Sequence, residues 1–167
     1  MDSMRVFDRD LVRRRRDRAA PTLSQNDFLF REAADRLTDR LLDVARTFPV
    51  ALDLGCHTGQ VAVALARSSA TSTKVGALIQ ADVSPKMADI AQASTGCATA
   101  VADEEFLPFA DNALDLVLSN LSLHWVNDLP GALAQIRRAI KPDGLFLATL
   151  FGGETLRELR SALLEAE

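Results

Sequence analysis

The stretch VALDLGCHTG, Val50 to Gly59, constrains the fold of this chain more than any other segment. Five residues, apolar but for one aspartate, run into a turn with glycines at both ends, and a helix of small residues follows. An unbroken apolar run of that length is a strand with both faces buried, which is the habit of parallel sheets. Gly55 and Gly59 let the backbone come close to a ligand, and the helix after them presents unpaired N–H groups to an anion.

The rest of the chain repeats the alternation. Phe30, Ala34, Leu37, Leu41, Val44 and Phe48 fall at three- and four-residue steps and predict one helix over 26–48, capped by Asn26 or Asp27 and ended by Pro49. Strands are predicted over 50–54, 75–79, 98–101, 114–118 and 145–150. Helices are predicted over 58–66, from Ser84-Pro85 to about Ser94, from Asn127 or Asp128 to Ile140, and over 154–165 with Leu156, Leu159 and Leu163 turned inward. Lys141 to Gly144, KPDG, reads as a turn. Strands alternating with helices mean βαβ units and an α/β fold: a Rossmann-like, doubly wound parallel sheet, strand order 3-2-1-4-5, covered on both faces.

Such sheets hold ligands beyond the carboxyl ends of their strands. Three acidic positions end three neighbouring strands here: Asp53, Asp82, and the pair Asp103 and Glu104. An acid at the end of the second strand can accept both hydroxyls of a ribose, and one after the third can receive an adenine amino group. The loop lacks the middle glycine of GxGxxG and the GK[ST] of a P-loop, so it is poorly made for a pyrophosphate. A ligand with ribose and adenine but no phosphate fits it better, and S-adenosylmethionine is that ligand.

The 167 residues suffice for one domain, and a net charge of −4 gives no reason to expect nucleic acid as a partner. No apolar run approaches the length of a membrane span. Two cysteines, Cys56 and Cys97, form neither a CxxC pair nor a disulfide framework, which suits a reducing compartment. Residues 1–25 form a basic arm. Its aspartates argue against a presequence, and two readings stand for it: a solvated helix, or a docking patch for an acidic partner or membrane surface. Residues 26–167 form the ligand-binding domain.

The segments ALDLGCHTG, IQADVSPKM, VADEEFLPFADNALDLVLSN and IKPDGLF resemble the successive motifs of class I S-adenosylmethionine-dependent methyltransferases over nearly the whole chain. By that resemblance Asp53, Gly55 and Gly59, with Cys56 and His57 between them, line the methionine end. Asp82 holds the ribose, Val83 and Met87 pack on adenine, Asp103 and Glu104 meet the adenine edge, and Asn120 and Leu121 lie beside the sulfonium. FDRDLVRRRRDRAA, DEEFLPF, SLHWVNDLPGAL and FGGETLRELR resemble more narrowly the methyltransferase-like assembly factors of respiratory complex I. That family is associated with hydroxylating an arginine of a complex I subunit. The malonyl-carrier-protein O-methyltransferases of biotin synthesis share part of the likeness. A third possibility is an assembly or interaction protein that keeps the fold without chemistry. The resemblance implies a protein substrate or a carrier-bound small molecule, in the cytoplasm, or in the mitochondrial matrix of a eukaryote. The family has seven strands and this chain five, so the sequence is either a piece lacking the last strands or a short form with an exposed edge.

His57 stands where most of the family has glycine. It can face solvent, donate to the ligand's carboxylate, or narrow the pocket. His124, the other histidine, follows the fourth strand beside the first. These two are the candidates for a catalytic group. Two histidines and a carboxylate would suffice for non-heme iron; the simpler reading makes His124 and Trp125 a wall over the pocket, with His124 bonded to Asn127 or Asp128. No metal site is assigned.

Overall fold

The computed structural model describes residues 5–166. The first four residues of the arm and Glu167 lie outside the described residues. Five strands, β1 (Phe48–Leu54), β2 (Val75–Asp82), β3 (Ala98–Val101), β4 (Leu114–Asn120) and β5 (Ile140–Thr149), form one parallel sheet in the order β3-β2-β1-β4-β5. This is the expected doubly wound order. Its helices are α1 (Arg9–Ala19), α2 (Phe28–Asp39), α3 (Gln60–Ala66), α4 (Ser69–Ser72), α5 (Pro85–Thr95), α6 (Leu129–Ala139) and α7 (Arg157–Ala166). No helix among the described residues is long and apolar enough to cross a membrane.

Two cores lie on the two faces. On one, Ala34, Leu37 and Leu41 meet Val61 and Leu65 of α3 over Ala51, Leu116 and Leu118. On the other, Ile136 and Ala139 of α6 close over Leu52, Leu54 and Val117. Successive residues of a strand face opposite ways, which is why the two sets interleave along β1. In β4 the alternation slips, because the β4–β5 register shifts between Leu114 and Leu116. Lys141 to Gly144 bulge out at that point, with Asp143 at a positive φ of 61°. Lys141 then returns its ammonium to the buried Asp115, at 3.0 Å, and the same carboxylate accepts the Val50 N–H at 3.0 Å.

Local signals explain several boundaries. Ser84 Oγ accepts the Met87 N–H at 3.1 Å and Pro85 opens α5; Asp128 accepts the Gly131 N–H at 2.8 Å at the start of α6. Two expectations are corrected. The helix expected over 26–48 ends at Asp39 and passes through a 3-10 turn at Arg40–Asp43; Phe48 is the first residue of β1, paired with Val75. The apolar spacing fitted a longer helix, but Phe48 follows the period of the strand. Leu156, Leu159 and Leu163, expected to turn inward, are exposed, and α7 buries no residue. An amphipathic period marks a face but does not supply what covers it.

Candidate functional site

The carboxyl ends of β1, β2, β3 and β4 meet at one place, and the turn after β1 is its floor. Gly55 and Cys56 both donate their N–H groups to the Ala81 carbonyl, at 2.8 and 2.9 Å, so the turn is clamped to β2. Gly55 has φ of 74°, and a Cβ there would stand 2.0 Å from Ser122 Oγ. Gly59 has φ of 95°. Only glycine adopts such angles without strain, and at Gly55 only glycine fits the space. His57 shares the left-handed region, with φ of 50°. Its backbone N–H donates to Asp82 Oδ2 at 3.0 Å, while Ser84 N–H donates to Oδ1 at 2.8 Å. Asp82 is thus aimed by backbone on both sides, and Val83 and Met87 are buried beside it.

Asp53 is fully buried, and neither of its oxygens has a hydrogen-bond partner among the described residues. Gln80 lies opposite it in β2, and Gln80 Nε2 is likewise without a partner among the described residues. Burial, reinforced by the charge of Asp82, pushes the Asp53 carboxyl up to about 8. A buried unpaired acid next to a glycine turn is a place where a cationic group would be stabilised. Burial, followed by the charge of Asp53, also raises the Cys56 thiol well above its ordinary range, so Cys56 is an inert wall and not a nucleophile.

His57 does not face solvent. It is 5% exposed, its ring packs on Phe30 at 4.5 Å between centroids, and Nε2 lies 3.1 Å from the Asn120 carbonyl oxygen. Burial, then the charge of Arg16, lowers it to about 4, so it is neutral at physiological pH. Asn120 is occupied as well: its amide donates to the Phe30 carbonyl at 2.8 Å and its oxygen accepts from Thr149 Oγ1 at 2.7 Å. His124 is not bonded to Asn127 or Asp128. Its Nδ1 is buried without a partner among the described residues, and its ring leans on Trp125 and Phe151, 5.3 and 4.7 Å between centroids. Burial, then Arg16, lowers its pKa. No group of three or more acidic, histidine or cysteine side chains among the described residues could hold a metal.

The arm is the part that sequence reasoning misplaced. α1 is neither a solvated helix nor free for an external acidic partner along its inner face. Arg16, 8% exposed, sends Nη1 to Asp82 Oδ2 and Glu104 Oε1, both at 3.1 Å, and Nη2 to Ser122 Oγ at 2.9 Å. Arg9 donates to Asp103 through Nε at 3.2 Å and Nη2 at 2.6 Å, to Glu104, and to the Trp125 carbonyl at 2.9 Å. Ser122 Oγ donates to Glu104 Oε1 at 2.5 Å. Burial works against ionising Glu104, but Arg16 and Arg9 outweigh it and hold the carboxyl at about 2. Phe7 and Asn127 exchange hydrogen bonds at 2.8 and 3.0 Å, and Ser84 Oγ donates to Asp17 at 2.5 Å. Arg9, Arg16, Ser122 and Asn127 therefore belong to the site. The one signal for them was the run of arginines itself, whose partners lie on distant strands.

Between α1 and the strand tips lies a cavity of about 410 Å³. Its walls are mostly apolar, with Leu11 and Val12 from the arm facing Phe30, Leu121, Trp125 and Phe151, and both histidines on its lining. Met87 and Leu121 border it too, whereas Asp82, Asp103 and Glu104 are screened from it by the arginines and Asp53 lies buried away from its lining.

A doubly wound sheet whose adjacent strand tips carry acids around a glycine turn defines an α/β protein of the open-sheet, ligand-binding class. The chain belongs to the methyltransferase domain family, which matches residues 52–148. It is 45% identical to the mitochondrial arginine-hydroxylase NDUFAF5 of Homo sapiens over 99% of this chain and 47% of that protein. It is 36% identical to the malonyl-[acyl-carrier protein] O-methyltransferase of Methylovorus sp. over 94% of this chain and 55% of that one. Among solved structures, an S-adenosylmethionine-dependent methyltransferase from Mesorhizobium loti has 27% identity and a TM-score of 0.57, covering 71% of this chain and 54% of that chain. The chain spans about half the length of the curated relatives it matches.

Proposed function

We propose that the site binds S-adenosylmethionine and that the chain is the cofactor-binding part of a methyltransferase-like enzyme acting on a protein arginine. The observation that carries the cofactor is Asp53: a buried carboxyl near the end of β1, two residues before the Gly55 turn, with both oxygens unpartnered among the described residues. A sulfonium compound with an ammonium group suits that position. When bound, S-adenosylmethionine supplies an electrophilic carbon on a positively charged sulfur. In this reading Gly55, Cys56, His57 and Gly59 bound the methionine end, with Asp53 beneath. Asp82 takes the ribose hydroxyls, Val83 and Met87 pack against the base, and Asp103 and Glu104 reach its edge. Asn120 and Leu121 hold the far wall. His57 is a fixed wall rather than a base, because its Nε2 is bound to Asn120. His124, whose Nδ1 has no partner and which lines the cavity, is the better candidate for a group that touches an acceptor.

The arginine substrate is supported by the 45–48% identity to the arginine-hydroxylase relatives. A complex I subunit as partner follows the segments that resemble the complex I assembly factors, and a mitochondrial location, in the matrix if the host is a eukaryote, agrees with the mitochondrial relatives; in a bacterium the location is the cytoplasm. The second reading, a carrier-bound malonyl acceptor, rests on the 36% relative. Calorimetry with S-adenosylhomocysteine tests the cofactor. Asp82→Ala should weaken binding by ~1–3 kcal/mol, the range for a lost hydrogen-bonding partner. Unchanged affinity would remove Asp82 from the site. Mass spectrometry of a complex I subunit peptide incubated with the enzyme then separates an added oxygen from an added methyl group.

A further inference from the structure

The cofactor reading asks three carboxylates to receive an adenosyl group, and the arm already uses all three. Asp82 Oδ1 takes the Ser84 N–H, and Oδ2 takes both the His57 N–H and Arg16. Glu104 Oε1 takes Arg16 and Ser122, and its other oxygen takes Arg9. Asp103 is spanned by Arg9 across both oxygens. A carboxylate oxygen accepts about two hydrogen bonds, so while Arg16 is in place Asp82 Oδ2 is filled and one position on Oδ1 remains, too few for both hydroxyls of a ribose. The two arginines stand seven residues apart on α1, two helical turns, and so point from the same side of the helix.

We propose that α1 is an internal competitor for the adenosyl site: Arg9 and Arg16 occupy the carboxylates that the adenosyl group needs, and the cofactor enters by displacing them. The proposal rests on the cofactor reading above. Displacement is feasible because the arm is joined to the body by a short 3-10 segment, Ala20–Gln25, with a proline at its start. α1 gives no residue to either sheet core, so lifting it opens the cavity lining and breaks the Ser84–Asp17 and Phe7–Asn127 hydrogen bonds but leaves the cores in place. The same movement opens the apolar cavity to an acceptor, so cofactor and acceptor entry are coupled through one helix. The attraction between arm and strand tips is between charges, and added salt weakens the part of it that solvent reaches.

Calorimetry with S-adenosylhomocysteine compares the full chain with the double variant Arg9→Gln/Arg16→Gln. The proposal expects the variant to bind about tenfold more tightly, which is ~1.4 kcal/mol. Equal or weaker binding by the variant overturns the proposal and leaves the cofactor reading intact, since the arm would then assist or ignore the ligand. Heat from neither protein overturns the cofactor reading, and the proposal with it. Should the variant fail to give a cooperative melt, trypsin on the wild type decides. Cleavage after Arg13 to Arg18 should quicken when S-adenosylhomocysteine is saturating, and an unchanged rate at saturation overturns the proposal.

Discussion

His57 Nε2 lies 3.1 Å from the carbonyl oxygen of Asn120, joining the turn after β1 to the tip of β4. A carbonyl only accepts, so the hydrogen sits on Nε2 and the imidazole is held neutral in one tautomer. Burial, then Arg16, keeps its pKa at about 4 against an ordinary 6.5. The folded protein therefore refuses a proton that the unfolded chain accepts. The sign follows: this stability is complete above 6.5 and is lost as pH falls from there toward 4. His57→Asn keeps a residue that tolerates positive φ and removes the titration. Urea unfolding should show wild type losing ~2–3 kcal/mol relative to the variant across that window. A gap that stays constant with pH would clear His57 of the effect.

Asp53 has the opposite dependence. Its folded pKa of about 8 stands above the ordinary 3.8, so the folded state keeps a proton that the unfolded state gives up. That contribution is full below 3.8 and disappears as pH rises toward 8. Asp53→Asn removes the buried charge and keeps one amide oxygen that can accept from Gln80 Nε2. The variant should be more stable than wild type at the alkaline end by ~2 kcal/mol, the scale of an uncompensated buried group. It should also bind S-adenosylhomocysteine less well. A variant that melts lower at every pH contradicts the first expectation.

Gly55→Ala is expected to be severe. A Cβ would stand 2.0 Å from Ser122 Oγ and 3.2 Å from Glu104 Oε1, at a φ of 74°. The left-handed backbone costs about 1 kcal/mol and the overlap a further ~1–3 kcal/mol. Adding Ser122→Gly removes the overlap, so the double variant should recover part of the loss. Thermal melts of the four proteins give the coupling; strict additivity would mean that the two residues do not meet.

Asp115 and Lys141 hold the β4–β5 bulge. The lysine is partly exposed, so Lys141→Ala should cost only ~1 kcal/mol. Asp115→Ala also strips the Val50 N–H of its acceptor and should cost more, ~2–3 kcal/mol. Equal losses measured by denaturation would show that the backbone contact contributes nothing.

The β1 turn and the strands were legible because each depends on local rules: glycines where the chain turns, unbroken apolar runs where both faces are buried; the strand order came with the doubly wound pattern that their alternation with helices implies. Ser84-Pro85 and Asp128 marked helix starts for the same reason. Asp53, Asp82 and Asp103 were visible as acids at strand ends, since the topology alone brings those ends together. The clamp from α1 was not visible. Arg16 meets Asp82 and Glu104 across 66 and 88 residues of sequence, and no spacing rule distinguishes it from Arg14 or Arg15 beside it. His57 showed its unusual place but not its burial, because Phe30 and Asn120 reach it from two other elements. Phe48 fitted two periods at once, and tertiary pairing with Val75 chose between them.

The two inward arginines of α1 also make the helix a caliper set to one opening. Their separation is a whole number of turns to within about 20° of rotation. Inserting one residue between them would swing one guanidinium by about 100° and carry it out of phase with its carboxylates. Point changes on the outer side of α1 leave that gauge untouched, whereas a change in its length at any point between Arg9 and Arg16 destroys it.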